Sequence, residues 1–530
     1  MGPVQPLVTD PALVASLRAD LVSAAYDVDG VEDLLGPLAA AALHREQSLP
    51  ARRAVAAAVG GKPPSDQDPL ATLAGLFLVG AAVPRAALDR ALPAAGTAGA
   101  ERLGLVAAQG AGDDDEVRAV VDLRPYSSVD AGGDARWWLA SDLGELATGG
   151  RLATDHVLGA GGASLTLAQV TVRNPTGRVL DLGTGCGIQA LHAARHAQHV
   201  VATDISRRAL SFAGFNVALN TDAGTSLDLR YGSMLEPVAG ERFDLVVSNP
   251  PFVITPHAGA AGRAVADALG AYEYRDGGRA GDDLVRDLIL GVGDVLAPGG
   301  TAQLLGNWEH RKGEPWTERV GAWLDEAGLD GWIIQREVLD PAEYAETWIR
   351  DGGTTIDREP DAWAAAYGAW LDDFESRDVE AVGFGLVTLR RPASGQATLR
   401  RLEEHTGSVR QPLGAHIARS LAGHDWLAAR DDAALAAAHL VTAADVTEER
   451  YLTPGAADPN VVILRQGDGL GRGVQASSPL AALVGACDGE LTVGQIVGAL
   501  AALFDVAAAD LAAELLPAVR GLVRDGFLAE

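Results

Sequence analysis

The chain has only two cysteines, Cys186 and Cys487, in 530 residues. That is too few for a disulfide framework or a cysteine-based zinc site, and a reducing compartment is expected. Long apolar runs are also scarce. The most apolar uncharged stretch, residues 69–84, falls short of the roughly 18 residues a membrane span needs, so no membrane insertion is expected. The opening Met-Gly-Pro-Val-Gln-Pro lacks the basic-then-apolar pattern of a secretory leader, which predicts a cytoplasmic location. Positive charge is short as well: 42 Lys and Arg face 71 Asp and Glu, a formal net charge of -29. Such a surface opposes non-specific attraction to nucleic acid or anionic lipid except at local basic patches. The length exceeds one ordinary core and predicts two to four domains.

Residues 1–125 read as an N-terminal domain. Apolar residues at helical spacing occupy 13–21, 31–43, 70–83 and 86–92, and two short strands follow at 103–107 and 117–123. Helices leading into a hairpin suggest a winged-helix-like unit. Its acidic tip, Asp113-Asp-Asp-Glu116, reads as a solvated turn. Residues 124–162 read as a connection, in which Trp137 and Trp138 pack and His156, within 154–159, is a structural histidine close to the first core strand.

The central domain, residues 126–392, alternates strands at 179–182, 200–203, 227–231, 245–248, 302–305, 332–338 and 383–389 with helices at 188–197, 207–219, 282–296 and 317–327. This alternation predicts an α/β fold, a Rossmann-like seven-stranded, mainly parallel sheet. An insertion at 340–380, rich in Trp, Tyr and acid, reads chiefly as hydrophobic packing, with covering or shaping a substrate cleft as the alternative. Residues 393–530 form a C-terminal domain, helical and alanine-rich over 393–446, with a strand at 461–464, helices at 493–504 and 508–524, and a closing 526–528. This is a second winged-helix-like module.

The chemistry concentrates in two stretches. Asp181-Leu-Gly-Thr-Gly-Cys-Gly187 follows the first core strand, and its glycines 183, 185 and 187 permit a sharp turn and close backbone approach to a ligand. Asp204, ending the next strand, is placed to accept from ribose hydroxyls. Gly185-Cys-Gly-Ile-Gln-Ala190 also satisfies a dinucleotide fingerprint, so this loop alone suits NAD or S-adenosyl-L-methionine equally. Asn249-Pro-Pro-Phe252, at the end of the fourth strand, decides between them. Its proline-stiffened backbone turns the Asn249 side-chain oxygen and the Pro250 carbonyl toward the cleft as two acceptors for an NH2 group, and Phe252 can stack on a planar acceptor. Holding both N–H groups would aim a poorly nucleophilic nitrogen at a methyl sulfonium without metal or covalent nucleophile.

Asp181 to Gly187, Asp204 and Ser248-Asn-Pro-Pro-Phe252 resemble the class I S-adenosylmethionine-dependent methyltransferases that modify planar nitrogens, above all the HemK/PrmC type, which methylates a glutamine of peptide release factors. Tyr274-Arg-Asp-Gly-Gly278 and Leu296-Ala-Pro-Gly-Gly300 sit where that type has later Gly-rich segments. The resemblance spans about Gly159 to Arg391. It implies S-adenosyl-L-methionine held by Asp181, Gly183, Thr184, Gly185, Cys186, Gly187, Asp204, Ile205, Ser233, Met234 and Asn249, and an acceptor held by Asn249, Pro250, Pro251 and Phe252. Two positions differ from the type: Phe252 stands where it usually carries Tyr, and Ser233 where such enzymes often carry an Asp that contacts adenine. Residues 480–528 also resemble PqqD-like peptide-binding modules. A protein or peptide glutamine is the expected acceptor. A base in rRNA, tRNA or DNA is the alternative, favoured by Phe252, the two winged-helix-like regions and the arginines at 390, 391, 400, 401 and 410. A non-catalytic cofactor-binding scaffold is the third reading. Oligomeric state is not legible.

Overall fold

A computed structural model describes residues 6–45, 47–63, 66–144, 153, 155–221, 225–257, 262, 265 and 277–530. It divides into two compact units. One comprises Met1–Ser128, Asp134–Ala168 and Pro175–Glu404, the other Val129–Gly133, Gln169–Asn174 and His405–Glu530.

The first unit is built on one sheet. Its strands are β1 (Thr176–Leu182), β2 (Ala197–Asp204), β3 (Leu227–Tyr231), β4 (Phe243–Ser248), β5 (Leu296–Arg311), β6 (Asp330–Leu339), β7 (Val379–Arg390) and β8 (Arg400–Glu404), in the spatial order β8-β6-β7-β5-β4-β1-β2-β3. β1 to β5 pair in parallel, and β7 runs antiparallel between β5 and β6. The helices are α1 (Ile188–Ala194), α2 (Arg207–Asn220), α3 (Asp283–Gly291), α4 (Trp316–Ala327), α5 (Pro341–Asp351) and α6 (Pro360–Glu375). Strands covered on both faces read as near-continuous apolar runs, and Val179, Leu180, Val200, Val201, Val246 and Val247 are all buried. Val285, Leu288, Val320 and Leu324 from α3 and α4 pack against this sheet.

All seven expected core strands are present, and an eighth extends the sheet. β8 lies in the stretch read as helical, and pairs in parallel with β6 from Gly331 opposite Arg400 to Gln335 opposite Glu404. Its Arg-Arg-Leu-Glu-Glu sequence has no strand periodicity; a carboxylate elsewhere places it. Asp330 accepts from the amides of Thr398 and Leu399 at 2.7 and 2.8 Å and from Arg390 at 2.9 Å. Burial alone would push that carboxyl up, but these donors hold it below the usual range.

The supposed connection at 124–162 is a second departure. Asp122–Asp130 and Gly133–Ser141 pair as a β-hairpin. Before it, helices Pro11–Ser23, Val28–Leu43, Ser48–Val59, Pro69–Leu73, Arg85–Ala91 and Gly96–Leu103 surround a small antiparallel sheet of Val83–Pro84, Glu116–Ala119 and Val106–Ala108. Pro37 and the positive φ of Gly36 kink the second helix. Helix Pro11–Ser23 is bound to the core through Arg18. Its guanidinium donates to the carbonyls of Leu219, Ala218 and Thr221 at 2.6, 2.7 and 2.6 Å, satisfying the open C-terminal end of α2 where a cation is favoured.

In the second unit, helices Val493–Phe504 and Ala508–Arg524 lie where their 3.6-residue periodicity predicts. A capping box between Thr492 and Gln495 starts the first of them. They pack with Leu483, Leu440 and Phe527, beside a sheet of His439–Thr442 between Asp488–Thr492 and Leu528–Ala529. A second sheet comprises Val446–Tyr451, Val461–Gln466 and Gly473–Ala476. The stretch 393–446, read as mostly helical, holds the helices Leu413–Ala428 and Asp432–Ala436 together with strands Arg400–Glu404 and His439–Thr442. Among the described residues no helix is long and apolar enough to cross a membrane.

Replacing Arg18 by Met should keep the stem packing and remove all three bonds. Charge-assisted hydrogen bonds at a helix end contribute about 2 kcal/mol in total, so the urea midpoint of the unit containing α2 should fall accordingly while that of the C-terminal unit stays put.

Candidate functional site: a glycine turn, an acid and an orphaned carboxamide

Parallel pairing sets Leu182 of β1 opposite both Thr203 of β2 and Ser248 of β4. The residues after these strands therefore emerge along one edge of the sheet, where strand order reverses between β1 and β4 and open α/β sheets leave a crevice.

The turn after β1 has Gly183, Gly185 and Gly187 at φ of 72, 54 and 85°. A methyl group on Gly183 or Gly185 would meet no atom within 4 Å, so the backbone there borders open space. Gly187 is different: a Cβ would lie 2.8 Å from the Ala213 Cα, and its bareness lets α1 and α2 close up. The amides of Gly183 and Thr184 both donate to Thr203 O, at 3.0 and 2.9 Å, tying the turn to β2. Thr184 Oγ1 donates to Asp181 Oδ2 at 2.6 Å, so these two buried side chains shape the turn from beneath. Cys186 is buried, its thiol pushed up to about 12 by desolvation, and only its backbone serves the turn.

Asp204 ends β2 with its carboxylate aimed back at this turn. Oδ2 accepts from Gly185 N at 2.9 Å and Oδ1 from Ser206 N at 2.8 Å. Burial raises its pKa despite the donors at Ser206, Gly185 and Ile205. Ile205, next in sequence, is 53% exposed, a large apolar side chain left open beside the acid. Gly232 N donates to Asp204 O at 3.0 Å, bringing the end of β3 alongside. Ser233 follows, half-buried, and Met234 has a left-handed φ of 47° with its side chain packed against the sheet's interior.

Behind the turn stands a residue absent from the sequence reading. Asn216 on α2 is fully buried; its amide donates to Cys186 O and Ala140 O, and its oxygen accepts from Ala140 N, all at 2.8 Å. Asn220 repeats the pattern on Trp138, at 2.8 and 2.7 Å. Four residues of helix rise ~6 Å and two of strand ~6.6 Å, so carboxamides at i and i+4 can act as a partner strand for Trp138 and Ala140. The signal was the Asn-x-x-x-Asn spacing. The strand's next residue but one, Asp142, accepts from Arg208 Nε at 2.8 Å and from Val157 N at 2.9 Å. His156 beside it is buried, and desolvation lowers its pKa, in line with a structural histidine. Trp137 stacks on Tyr126 at 5.7 Å and meets His192 edge-on, a packing role as expected.

On the other lip of the crevice, Ser248 Oγ donates to Leu182 O at 2.7 Å and pins β4 to β1 just before Asn249. Asn249 Oδ1 is shielded from solvent and has no hydrogen-bond partner among the described residues. A buried polar atom left unpaired is costly, and such atoms mark places where a ligand group completes the bonding. The Pro250 carbonyl departs from expectation: it accepts from Phe252 N at 2.8 Å, so one of its two lone pairs is already engaged inside the turn. Pro251 and Phe252 are half-buried, and the Phe252 ring meets Phe384 of β7 edge-on at 6.4 Å. Of the later Gly-rich segments, residues 274–276 lie outside the described residues. Leu296 to Gly300 is at the opposite edge of the sheet, with Leu296 opposite Phe243 at the start of β4. Among the described residues no group of three His, Cys, Asp or Glu is placed to hold a metal ion.

Residues 160–271 match the methyltransferase small domain family, while residues 23–120 and 418–530 match two domains of unknown function, DUF7059 and DUF7782. The release factor glutamine methyltransferase of Deinococcus radiodurans is 40% identical over 138 residues, 24% of this chain and 44% of the relative. That of Geobacter sulfurreducens is 36% identical over 127 residues, covering 23% and 42%. The ribosomal protein uL3 glutamine methyltransferase of Bradyrhizobium diazoefficiens is 33% identical over 198 residues, covering 36% and 59%. The chain thus spans about half the length of the curated relatives it matches.

Gly187 and Gly183 should separate in unfolding experiments. Gly187→Ala adds a left-handed strain and a clash with Ala213, and should lower stability by about 2–4 kcal/mol. Gly183→Ala meets open space and should cost only about 1–2 kcal/mol for the backbone.

Proposed function

We propose that this chain is an S-adenosyl-L-methionine-dependent methyltransferase whose acceptor is the side-chain amide nitrogen of a glutamine in a protein. The observation that carries it is the solvent-shielded Asn249 Oδ1 at the end of β4, without a partner among the described residues and pinned by Ser248 to the strand that leads into the glycine turn. The cofactor fits the residues present. Open space over Gly183 and Gly185 leaves the backbone approachable, and Asp204 keeps lone pairs beyond those taken by Gly185 and Ser206.

When bound, S-adenosyl-L-methionine supplies a methyl group on a sulfonium. The chain's own residues do the positioning. Asp204 would accept from the ribose hydroxyls, Gly183 and Gly185 would admit the ligand against the backbone, and exposed Ile205 would offer its base an apolar surface, with the Ser233 hydroxyl nearby. Asp181, Thr184, Cys186 and Gly187 hold the turn's shape, and Met234 closes it from the interior side. Asn249 Oδ1 accepts one N–H of the substrate amide and the second lone pair of the Pro250 carbonyl accepts the other; Pro251 stiffens the turn and the Phe252 ring lies against the amide plane. Both acceptors gain strength as positive charge develops on the nitrogen, so they stabilise the transition state more than the ground state.

The named activities of the relatives, one on a release factor and one on ribosomal protein uL3, support a protein acceptor. Charge supports it too. Residues 340–380, which contribute side chains beside this turn, hold twelve acidic residues against three arginines, an arrangement that repels phosphates.

The test incubates the chain and its Asn249→Ala variant with methyl-labelled cofactor and cell extract, followed by protease or nuclease. Protease should release the label, and the variant should be slower by on the order of 10²–10³-fold with cofactor affinity by calorimetry nearly unchanged. Label lost only to nuclease refutes the protein acceptor, and equal labelling by the variant refutes the site.

Acidity gives a second check. Asp204 binds ribose as a carboxylate, and burial raises its pKa in the free protein. Cofactor affinity should be full above that raised pKa and fall as pH drops through it, beginning at a higher pH than for an ordinary aspartate. Asp204→Asn should flatten this dependence.

A further inference from the structure

We infer that the helical pair inserted between β6 and β7 is a clamp that fixes the Asn249–Phe252 turn from its downstream side, with Tyr344 and Trp370 as positioning residues for methyl transfer. The inference rests on the proposed function for its catalytic consequence, though not for its geometry.

The turn has few handles of its own. Pro250 and Pro251 have no amide hydrogens, and the Phe252 amide is spent on the Pro250 carbonyl at 2.8 Å. The backbone must therefore be anchored from outside. Upstream, the anchor is Ser248 on Leu182 O. Downstream it is Ile254, two residues past Phe252 and fully buried. Both of its backbone polar groups are taken by insertion side chains: Ile254 N donates to Tyr344 Oη at 2.8 Å, and Trp370 Nε1 donates to Ile254 O at 2.8 Å. Tyr344 stands on α5 and Trp370 on α6, so the two helices grip opposite sides of one residue.

The same tyrosine reaches the Phe252 ring. Its own ring stacks on Phe384 at 5.6 Å, and Phe384 meets Phe252 edge-on. Asn307 of β5 steadies the hydroxyl, donating from Nδ2 at 3.2 Å. Hydrophobic packing alone explains why Tyr344 and Trp370 are buried. It does not explain why both aromatics direct their single polar groups at the N–H and C=O of the residue that carries the chain out of the proposed acceptor site. Loss of these two bonds would loosen the turn on its downstream side, and positioning catalysis is sensitive to shifts of a fraction of an ångström.

The test uses the full-length chain and three variants, Tyr344→Phe, Trp370→Phe and, as control, Tyr367→Phe, whose hydroxyl bonds Glu346 at 3.3 Å on the same helical pair without touching the turn. Hydrogen exchange followed by mass spectrometry reads the amides of residues 252–254. Cofactor affinity is read by calorimetry, and initial labelling rates are measured against increasing concentrations of extract protein with saturating labelled cofactor. Tyr344→Phe and Trp370→Phe should speed exchange at 252–254 and lower the limiting rate by on the order of tenfold to hundredfold, with cofactor affinity within twofold and a melting temperature lowered only by a few degrees for the buried groups left unpaired. Tyr367→Phe should match the parent throughout. Unchanged exchange at 252–254 overturns the clamp. Faster exchange with an unchanged limiting rate overturns its catalytic role, as does a rate loss that merely follows a fall in cofactor affinity and melting temperature. Should the parent chain label nothing, the proposed function fails, and the exchange measurement still decides whether the insertion holds the turn.

Discussion

The parallel register around β1 is the constraint on which the rest of this molecule depends. Leu182 is flanked by Thr203 on one side and Ser248 on the other, so a glycine turn, an acid and an asparagine emerge along one edge from three strands well separated in sequence. Because strand order reverses between β1 and β4, chain leaving β1 and chain leaving β4 turn away from each other, and the gap between them is the site. Several features of the first unit brace one of these exits. Arg18 and the two asparagines of α2 fix the helix behind the glycine turn, while Ser248 and Ile254 bracket the turn opposite.

What could be read from the sequence follows from where information is local. Continuous β-branched runs such as Val179 to Leu182 and Leu245 to Ser248 mark buried parallel strands, and positive-φ glycines after one of them mark a ligand-approaching turn. Helices Val493–Phe504 and Ala508–Arg524 declared themselves by apolar periodicity. Elements placed by distant polar atoms did not. β8 follows Asp330, some seventy residues upstream, and the hairpin strand Gly133–Ser141 is completed by carboxamides on a helix rather than by a neighbouring strand of matching pattern. The site divides in the same way. Residue types in the two motifs were legible, but the engaged state of the Pro250 carbonyl and the grip of Tyr344 on Ile254 exist only in three dimensions.

Electrostatics is arranged with similar economy. The acid beside the glycine turn is half-buried, and desolvation outweighs the backbone donors that face it, so its charge is held at a cost that a hydrogen-bonding partner would offset. Opposite it, the turn after β4 presents only neutral acceptors. One lip of the crevice thus carries a carboxylate and the other polarity without charge.

The hydroxyl of Ser248 on the Leu182 carbonyl has a consequence for motion. It cross-links the two strands at the point where the sheet would have to part for the crevice to widen, and Val179 to Leu182 are paired to β4 along their length. Widening of the crevice by parting of these two strands is therefore opposed. The sheet sets a fixed gauge for the gap between the two strand ends.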